Sequence, residues 1–207
     1  MEENIKVLVL FHSQTGHTAK LAEFIAEGAR DLANTEVVIK QVPGSKVDGI
    51  EIATQDDLVS ADAVAVGTPT HFGSFAAELK VFVDQLTPSW LKGQLAGKPA
   101  AFFCSAGSMH GGEEATLIST MIPFFNLGMI PVGIPYPIAG ESPDFDSGSP
   151  YGAIFVSGHK GEKEMSDGDK RIARMLGKRL AAMAHLVNCG CSSCEPFRKQ
   201  IHEHSAE

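Results

Sequence analysis

The chain has 207 residues, 43% of them hydrophobic, and 17 Lys and Arg against 25 Asp and Glu, for a formal charge of −8. That size and balance suit one ordinary domain with a substantial buried core, and the negative charge opposes nonspecific attraction to nucleic acid or an anionic membrane surface. Residues 1–6 hold two acids and no apolar stretch, so no secretory signal is expected there and the cytoplasm is the expected setting. Residues 115–140 are uncharged, but Pro123, Pro131, Pro135 and Pro137 interrupt them and Gly128 lies at their middle, so no membrane span is expected.

Residues 5–11 are nearly all β-branched or large and apolar, which predicts a first strand buried on both faces of a parallel sheet. Residues 13–17 break that run. Leu21, Ala22, Ile25, Ala29 and Leu32 then recur at helical spacing. Residues 36–42 read as a second strand, 43–53 as a connection bearing Gly and Pro, and 56–60 as a short helix. Residues 63–67 are a third strand, 68–74 a loop and 75–86 a helix, followed by a linker holding Pro88, Trp90 and Gly93. A fourth strand over 99–105, a loop over 107–112, a helix over 113–127 and a fifth strand over 129–134 continue the pattern.

Residues 135–150 are too rich in Pro, Gly, Ser and Asp for regular structure and long enough to be a functional loop, and 153–157 add one short strand. Ser166 with Asp169 marks a helix start, and Ile172, Leu176, Leu180, Met183 and Val187 form its apolar stripe. Strands alternating with helices predict an α/β, doubly wound, five-stranded parallel sheet with helices on both faces. The expected domain is 1–187, with a tail over 188–207.

In such a sheet a ligand sits beyond the carboxyl ends of the strands, where strand order reverses. The loop Ser13-Gln14-Thr15-Gly16-His17-Thr18 offers hydroxyls and a glycine where a helix begins, so backbone N–H groups and the helix dipole can hold a phosphate without a lysine or arginine. It lacks the Gly-Lys-Ser/Thr ending of a Walker loop and the three-glycine dinucleotide fingerprint, so a single terminal phosphate fits best, with simple helix capping as the alternative. Gly67-Thr68-Pro69-Thr70-His71-Phe72-Gly73 suits a flat heterocycle lying along the main chain. Ser105-Ala106-Gly107-Ser108-Met109-His110-Gly111-Gly112 can approach its other side.

Those loops, the segment 86–97 with Trp90, and Ser149-Pro150-Tyr151-Gly152-Ala153 resemble the WrbA-type NAD(P)H:quinone oxidoreductases over about residues 6–187. The resemblance implies a flavodoxin-like fold and FMN, with its phosphate on Ser13, Gln14, Thr15, Gly16, His17 and Thr18. It places the ring near Thr68, Pro69, Thr70, His71, Phe72 and Gly73, with Ser105, Ala106, Gly107, Ser108, Gly111 and Gly112 in the third FMN loop. It also implies a homotetramer in which Trp90 approaches a neighbour's flavin, and substrate contacts at Trp90, His71 and Thr15. The reaction implied is ping-pong: NADH or NADPH reduces the flavin and departs, and a quinone then takes two electrons. No side chain need act as a covalent catalyst.

Two positions depart from the family, His71 where many relatives carry arginine and Leu127 where some carry histidine. A one-electron carrier of the flavodoxin type and a flavin-binding regulatory module are the alternative functions. His17 and His110 are further candidates on the loops, with solvated spectators as the alternative; Asp84 is either a charge near the ring or a solvated helix face. Cys104 reads as a small core residue. Cys189, Cys191 and Cys194, followed by His202 and His204, are either metal or redox ligands or an easily oxidised flexible end.

Overall fold

The structure is a computed structural model that describes residues 4–135, 147–189 and 195. Its first strand, β1 (Ile5–Phe11), is apolar on both alternating sets of residues, and that determines its place. Val7, Val9 and Phe11 point into one core layer and Leu8 and Leu10 into the other, so the strand has to lie mid-sheet with helices on either side. It pairs in parallel with β2 (Thr35–Gln41) on one edge and β3 (Ala63–Pro69) on the other. β3 pairs with β4 (Pro99–Ala106), which is buried along its whole length. The order β2-β1-β3-β4-β5, with every pair parallel, is the doubly wound arrangement that the alternation of strands and helices predicts.

The fifth position departs from the expected single strand over 129–134. β5 (Ile130–Val132) pairs with the start of β4, and β6 (Ala153–Val156) pairs with Phe103 to Ala106 further along, so six strands fill five positions. Pro131 lacks an N–H, and Gly133 and Pro135 follow, so the strand cannot continue. The chain leaves the sheet and returns where the Ile134 N–H donates to the Pro150 carbonyl at 3.0 Å.

Two helices, α1 (His17–Arg30) and α6 (Asp167–Val187), cover one face. They cross at backbone contact: a Cβ on Gly28 would lie 1.9 Å from the Arg174 carbonyl oxygen, and one on Gly177 1.9 Å from that of Ile25. Glycine at both positions is what lets the axes approach so closely. α6 begins at a reciprocal box, the Ser166 hydroxyl accepting from the Asp169 N–H and the Asp169 carboxylate from the Ser166 N–H, each at 3.0 Å.

The other face carries α2 (Gln55–Ser60), α3 (Ala77–Asp84), α4 (Thr87–Leu91) and α5 (Glu113–Asn126). α4 lies in the stretch expected to be linker. Pro88 falls in its first turn, where a missing N–H loses no helical bond. α2 is tethered to β2 by Lys40, whose ammonium lies 2.9 Å from the Asp57 carboxylate. Burial pushes that carboxyl up, but hydrogen bonds from Lys40 and from the N–H and hydroxyl of Thr54 outweigh it and hold it at about 2. At the far end of α2 the half-buried Lys98 ammonium donates to the carbonyls of Val59 and Ala61, a cation on the negative end of the helix. Among the described residues no helix is long and apolar enough to cross a membrane.

Candidate functional site

Because every strand runs the same way, the loops that leave their carboxyl ends meet at one edge, and the reversal of order between β1 and β3 opens a crevice there. The first loop enters α1 through Gly16, which adopts a left-handed conformation with φ 86° and caps the helix with no side-chain hydrogen bond. Its own N–H donates to the Ser13 hydroxyl at 3.1 Å. Helix geometry leaves the next N–H groups without intrahelical partners, at the positive end of the dipole.

The second loop is held from below. The buried Thr68 hydroxyl accepts from the Ala76 N–H at 2.9 Å and donates to the Pro69 carbonyl at 3.0 Å. His71 and Ser74 exchange backbone hydrogen bonds of 2.8 and 3.0 Å, and Phe72 and Gly73 between them both take positive φ. A non-glycine residue in that region is strained by about 1–2 kcal/mol, and the bridge on either side holds it there. The consequence is a fully exposed Phe72 ring beside the crevice.

Ser105 of the third loop joins the other two. Its carbonyl accepts from the Thr70 N–H at 2.7 Å, and its hydroxyl lies 2.8 Å from that of Thr18, both side chains buried. Gly112, at φ 100°, packs so tightly on the second loop that a Cβ would fall 2.8 Å from Gly73 Cα. Ser157 donates both its N–H and its hydroxyl to the Ala106 carbonyl, at 2.8 and 3.1 Å. Gly107, Ser108 and Gly111 form the exposed tip. The structure thus brings all three sequence-predicted loops into one interlocked cluster.

Beneath it, Cys104 is fully buried as expected; burial pushes its thiol up to about 12, so it is no nucleophile. The Thr70 hydroxyl lies buried beside it, and its hydrogen bond to the thiol opposes that rise without cancelling it.

Two further segments support the cluster without any motif in the sequence that assigns them to it. After β2, the Gln14 side-chain amide donates to the Gly44 carbonyl at 3.0 Å, which fixes its orientation and aims its other N–H at His12 Nε2, 3.1 Å away. His12 therefore carries its proton on Nδ1 and donates it to the Ser45 hydroxyl at 3.1 Å, while that hydroxyl also accepts from the Ser13 N–H at 3.3 Å. Burial lowers the His12 pKa, the Glu78 carboxylate 3.5 Å away opposes that, and His71 adds to the lowering. After β6, the Gly161 carbonyl lies 3.3 Å from His17 Nε2. The adjacency of β2 to β1 could have pointed to Gly44 and Ser45; the Gly161 contact depends on β6 pairing with β4, which the strand expected over 153–157 does not itself indicate.

Trp90 is not among the residues that join the loops. It is half exposed on α4 and lines a groove of about 530 Å3 between α3, α4 and α5, together with Phe75, Val83, Ile122 and Leu127. Asp84 pairs with Lys80 on the exposed side of α3, a solvated helix face. His71 and His110 are exposed, His110 at φ 58°. Cys189 is half buried, whereas Cys191, Cys194, His202 and His204 lie outside the described residues. Among the described residues no group of three His, Cys, Asp or Glu could hold a metal ion.

A five-position parallel sheet in the order 2-1-3-4-5 with interlocked loops at its switch point defines the flavodoxin-like class. A family model described as NADPH-dependent FMN reductase matches residues 5–144, and the chain belongs to that family. The NAD(P)H dehydrogenase (quinone) of Geotalea uraniireducens (strain Rf4) is 37% identical over 198 residues, spanning 87% of this chain and 98% of the relative. The protein of the same name from Geobacter sulfurreducens is 36% identical over 202 residues, 89% of this chain and 100% of its own. Among solved structures, the flavodoxin, WrbA-like protein from Agrobacterium tumefaciens matches with a TM-score of 0.64 and 26% identity over 88% of this chain and 98% of that one. A flavodoxin from the domain Archaea shares the fold, with a TM-score of 0.62 and 20% identity over 87% and 99% of the two chains.

Proposed function

We propose that this protein is an FMN-dependent oxidoreductase that passes two electrons from NADH or NADPH to a quinone by a ping-pong sequence. The observation that carries the reading is the uncapped amino end of α1, opening through Gly16 into a cluster of three loops locked together at Ser105. The donor set fits a phosphate monoester: backbone N–H groups and the hydroxyls of Ser13, Thr15 and Thr18, supported by the helix dipole. Thr68 to Gly73 and Ser105 to Gly112 supply backbone and the exposed Phe72 for a flat ring. FMN, when bound, supplies the hydride chemistry.

The protein's part is position and electrostatics. The Thr18 and Ser105 hydroxyls fix the floor of the cradle, and the neutral His12, through Gln14 and Ser45, holds the first loop in register. His71 stands at the mouth, where its protonated form favours an anionic nicotinamide nucleotide. Departure of the nicotinamide before quinone entry follows if both use the same part of the crevice. The names of the two quinone dehydrogenase relatives support a quinone as acceptor.

We assign the flavin unit to residues 1–187 and treat 188–207 as dispensable for it, since all three loops precede Val187. The apolar groove beside Trp90 supports a homotetramer, in which Trp90 would reach a neighbour's site. A cytoplasmic setting agrees with a need for NAD(P)H and with free thiols at Cys104 and Cys189.

One cuvette tests the reading. The purified protein should release FMN on denaturation, lose its flavin colour on anaerobic addition of NADH or NADPH, and recover its absorbance when benzoquinone is added. Recovery of FAD instead of FMN, or a bound flavin that neither nicotinamide reduces, would overturn it.

A further inference from the structure

Thr15 and His17 are two residues apart at the mouth of α1, with the Thr15 hydroxyl oxygen 2.8 Å from His17 Nδ1. The other ring nitrogen, Nε2, faces the Gly161 carbonyl at 3.3 Å. A carbonyl can only accept, so Nε2 carries a proton in either charge state of the ring. The ring is held in this pose. A Cβ on Gly161 would lie 2.7 Å from His17 Cε1, and the Phe155 ring packs against the imidazole at a centroid distance of 5.9 Å.

The proton inventory of this pair then has two settings. With His17 neutral, Nδ1 is a bare lone pair, and the single proton of the Thr15 hydroxyl is committed to it. With His17 protonated, Nδ1 becomes the donor, Thr15 accepts, and the Thr15 O–H turns free to donate to a third group. Neither setting leaves a ring nitrogen unsatisfied. They differ in what they offer an anion at the end of α1: the first a hydroxyl already engaged, the second a free O–H donor and a positive charge beside it.

We propose that His17 and Thr15 form a proton-coupled relay, in which taking up the phosphate of the flavin nucleotide draws a proton onto His17 and releases the Thr15 hydroxyl to the phosphate. The inference rests on the flavin reading and deepens it: affinity for FMN is regulated through a site that carries no lysine or arginine of its own. Linkage requires the reverse as well, so the bound phosphate raises the proton affinity of the ring.

The charged groups packed around His17 are compatible with both settings. Lys20, on the next turn of α1, is engaged with Glu164 at 3.6 Å. On the loop that carries Gly161 stand His159, Lys160, Glu162 and Lys163, and the Glu162 carboxylate accepts from the Lys160 N–H at 2.8 Å. Lys46, from the segment after β2, is tied to the first loop by its backbone N–H on the Ser13 carbonyl at 2.8 Å. Among the described residues no carboxylate is paired with His17, so the phosphate is the group that changes its charge state.

The test is FMN affinity from pH 5.5 to pH 8.5, measured by flavin fluorescence quenching on flavin-stripped full-length protein and its His17→Gln, Thr15→Val and Thr15→Ser variants. The phosphate of free FMN itself titrates near pH 6. That effect is common to all the proteins and divides out of the ratio of wild-type to variant affinities. The ratio of wild type to His17→Gln is expected to rise about tenfold as the pH falls across this range, as linkage requires if the phosphate binds the protonated ring about tenfold more tightly than the neutral one. Thr15→Val should flatten that rise, and Thr15→Ser, which keeps the hydroxyl, should restore it. A ratio independent of pH, or a Thr15→Val protein that keeps the wild-type slope, overturns the relay while leaving the flavin reading intact. Failure of the wild-type protein to bind FMN at any pH overturns both. A second measurement needs no variant: the His17 ring carbon and proton signals, followed by NMR against pH with and without FMN, should titrate at higher pH in the complex, and an unmoved midpoint overturns the proposal.

Discussion

The two faces of the sheet solve the same burial problem in different ways. On one, α1 and α6 meet backbone to backbone at Gly28 and Gly177, and their long apolar stripes close over Val7, Val9, Phe11 and Phe103. On the other, α3, α4 and α5 bury Leu79, Phe82, Leu117 and Phe124 but leave Leu91, Ile122 and Phe125 exposed at 72%, 63% and 67%, with half-exposed Trp90 beside them. On the first face, among the described residues of α1 and α6, Leu186 near the end of α6 is the one large apolar side chain left exposed. The second exposes several large apolar side chains, two of which, Trp90 and Ile122, line one groove, and exposed apolar surface of this kind marks association. The contrast separates the glycine crossing, whose test is stability, from the open face, whose test is the oligomeric state.

The sharpest way to break this contrast is to add bulk at the crossing. Gly28→Val places side-chain atoms where the Arg174 backbone already lies, so α1 and α6 must separate along their length. A loss of about 3 kcal/mol is expected, roughly 10 °C in Tm for a chain of this size, measured by thermal unfolding. A change under about 1 kcal/mol would mean that the crossing is not close-packed in solution. The open face should respond in the opposite manner: Ile122→Lys with Phe125→Lys is expected to shift sedimentation to a smaller species while changing stability by less than about 1 kcal/mol. An unchanged tetramer, or a protein that is already monomeric without the substitutions, would remove that face from assembly.

Acid supplies a smaller and more local test, because Asp57 and His12 lie on the side of α2 and α3. The Asp57 carboxyl is held at about 2 against an ordinary 3.8, so it contributes stability above pH 4 that is lost as the pH falls through about 2. The contribution is about 1–2 kcal/mol after allowance for solvent at the Lys40 pair. His12 is held below its ordinary 6.5 by burial, so the unfolded chain binds the proton first and stability is lost as the pH falls from 6.5 toward the lowered value. Hydrogen exchange at decreasing pH should therefore release amides of α2, α3 and the first loop before those of α1 and α6. Simultaneous release of both faces would show that the domain opens as one unit.

These differences also explain how far the fold can be read from the sequence. β1 and α6 are legible to the residue at both ends, because an apolar run buried on both faces and a reciprocal cap followed by a regular stripe are local patterns. The three loops are legible because small residues and hydroxyls cluster where strands end. His12 stands beside them in the chain, but its task depends on Ser45 and Glu78, 33 and 66 positions away, which only the pairing of β1 with β2 and the packing of α3 bring near. α4 is hidden by its proline, which reads as a break unless the helix is known to start there. The halving of the last strand is hidden because β6 finds its register on β4, and nothing within Ala153–Val156 indicates which neighbour it will have.

That halved strand has a consequence for how the fold can vary. β5 and β6 dock on β4 at separate stretches, and the Ile134 N–H donates to the Pro150 carbonyl at 3.0 Å where the chain comes back toward the sheet. Both halves therefore take their register from β4, and a change that shifts β6 along Phe103 to Ala106 also moves Ser105, on which the loop cluster is built.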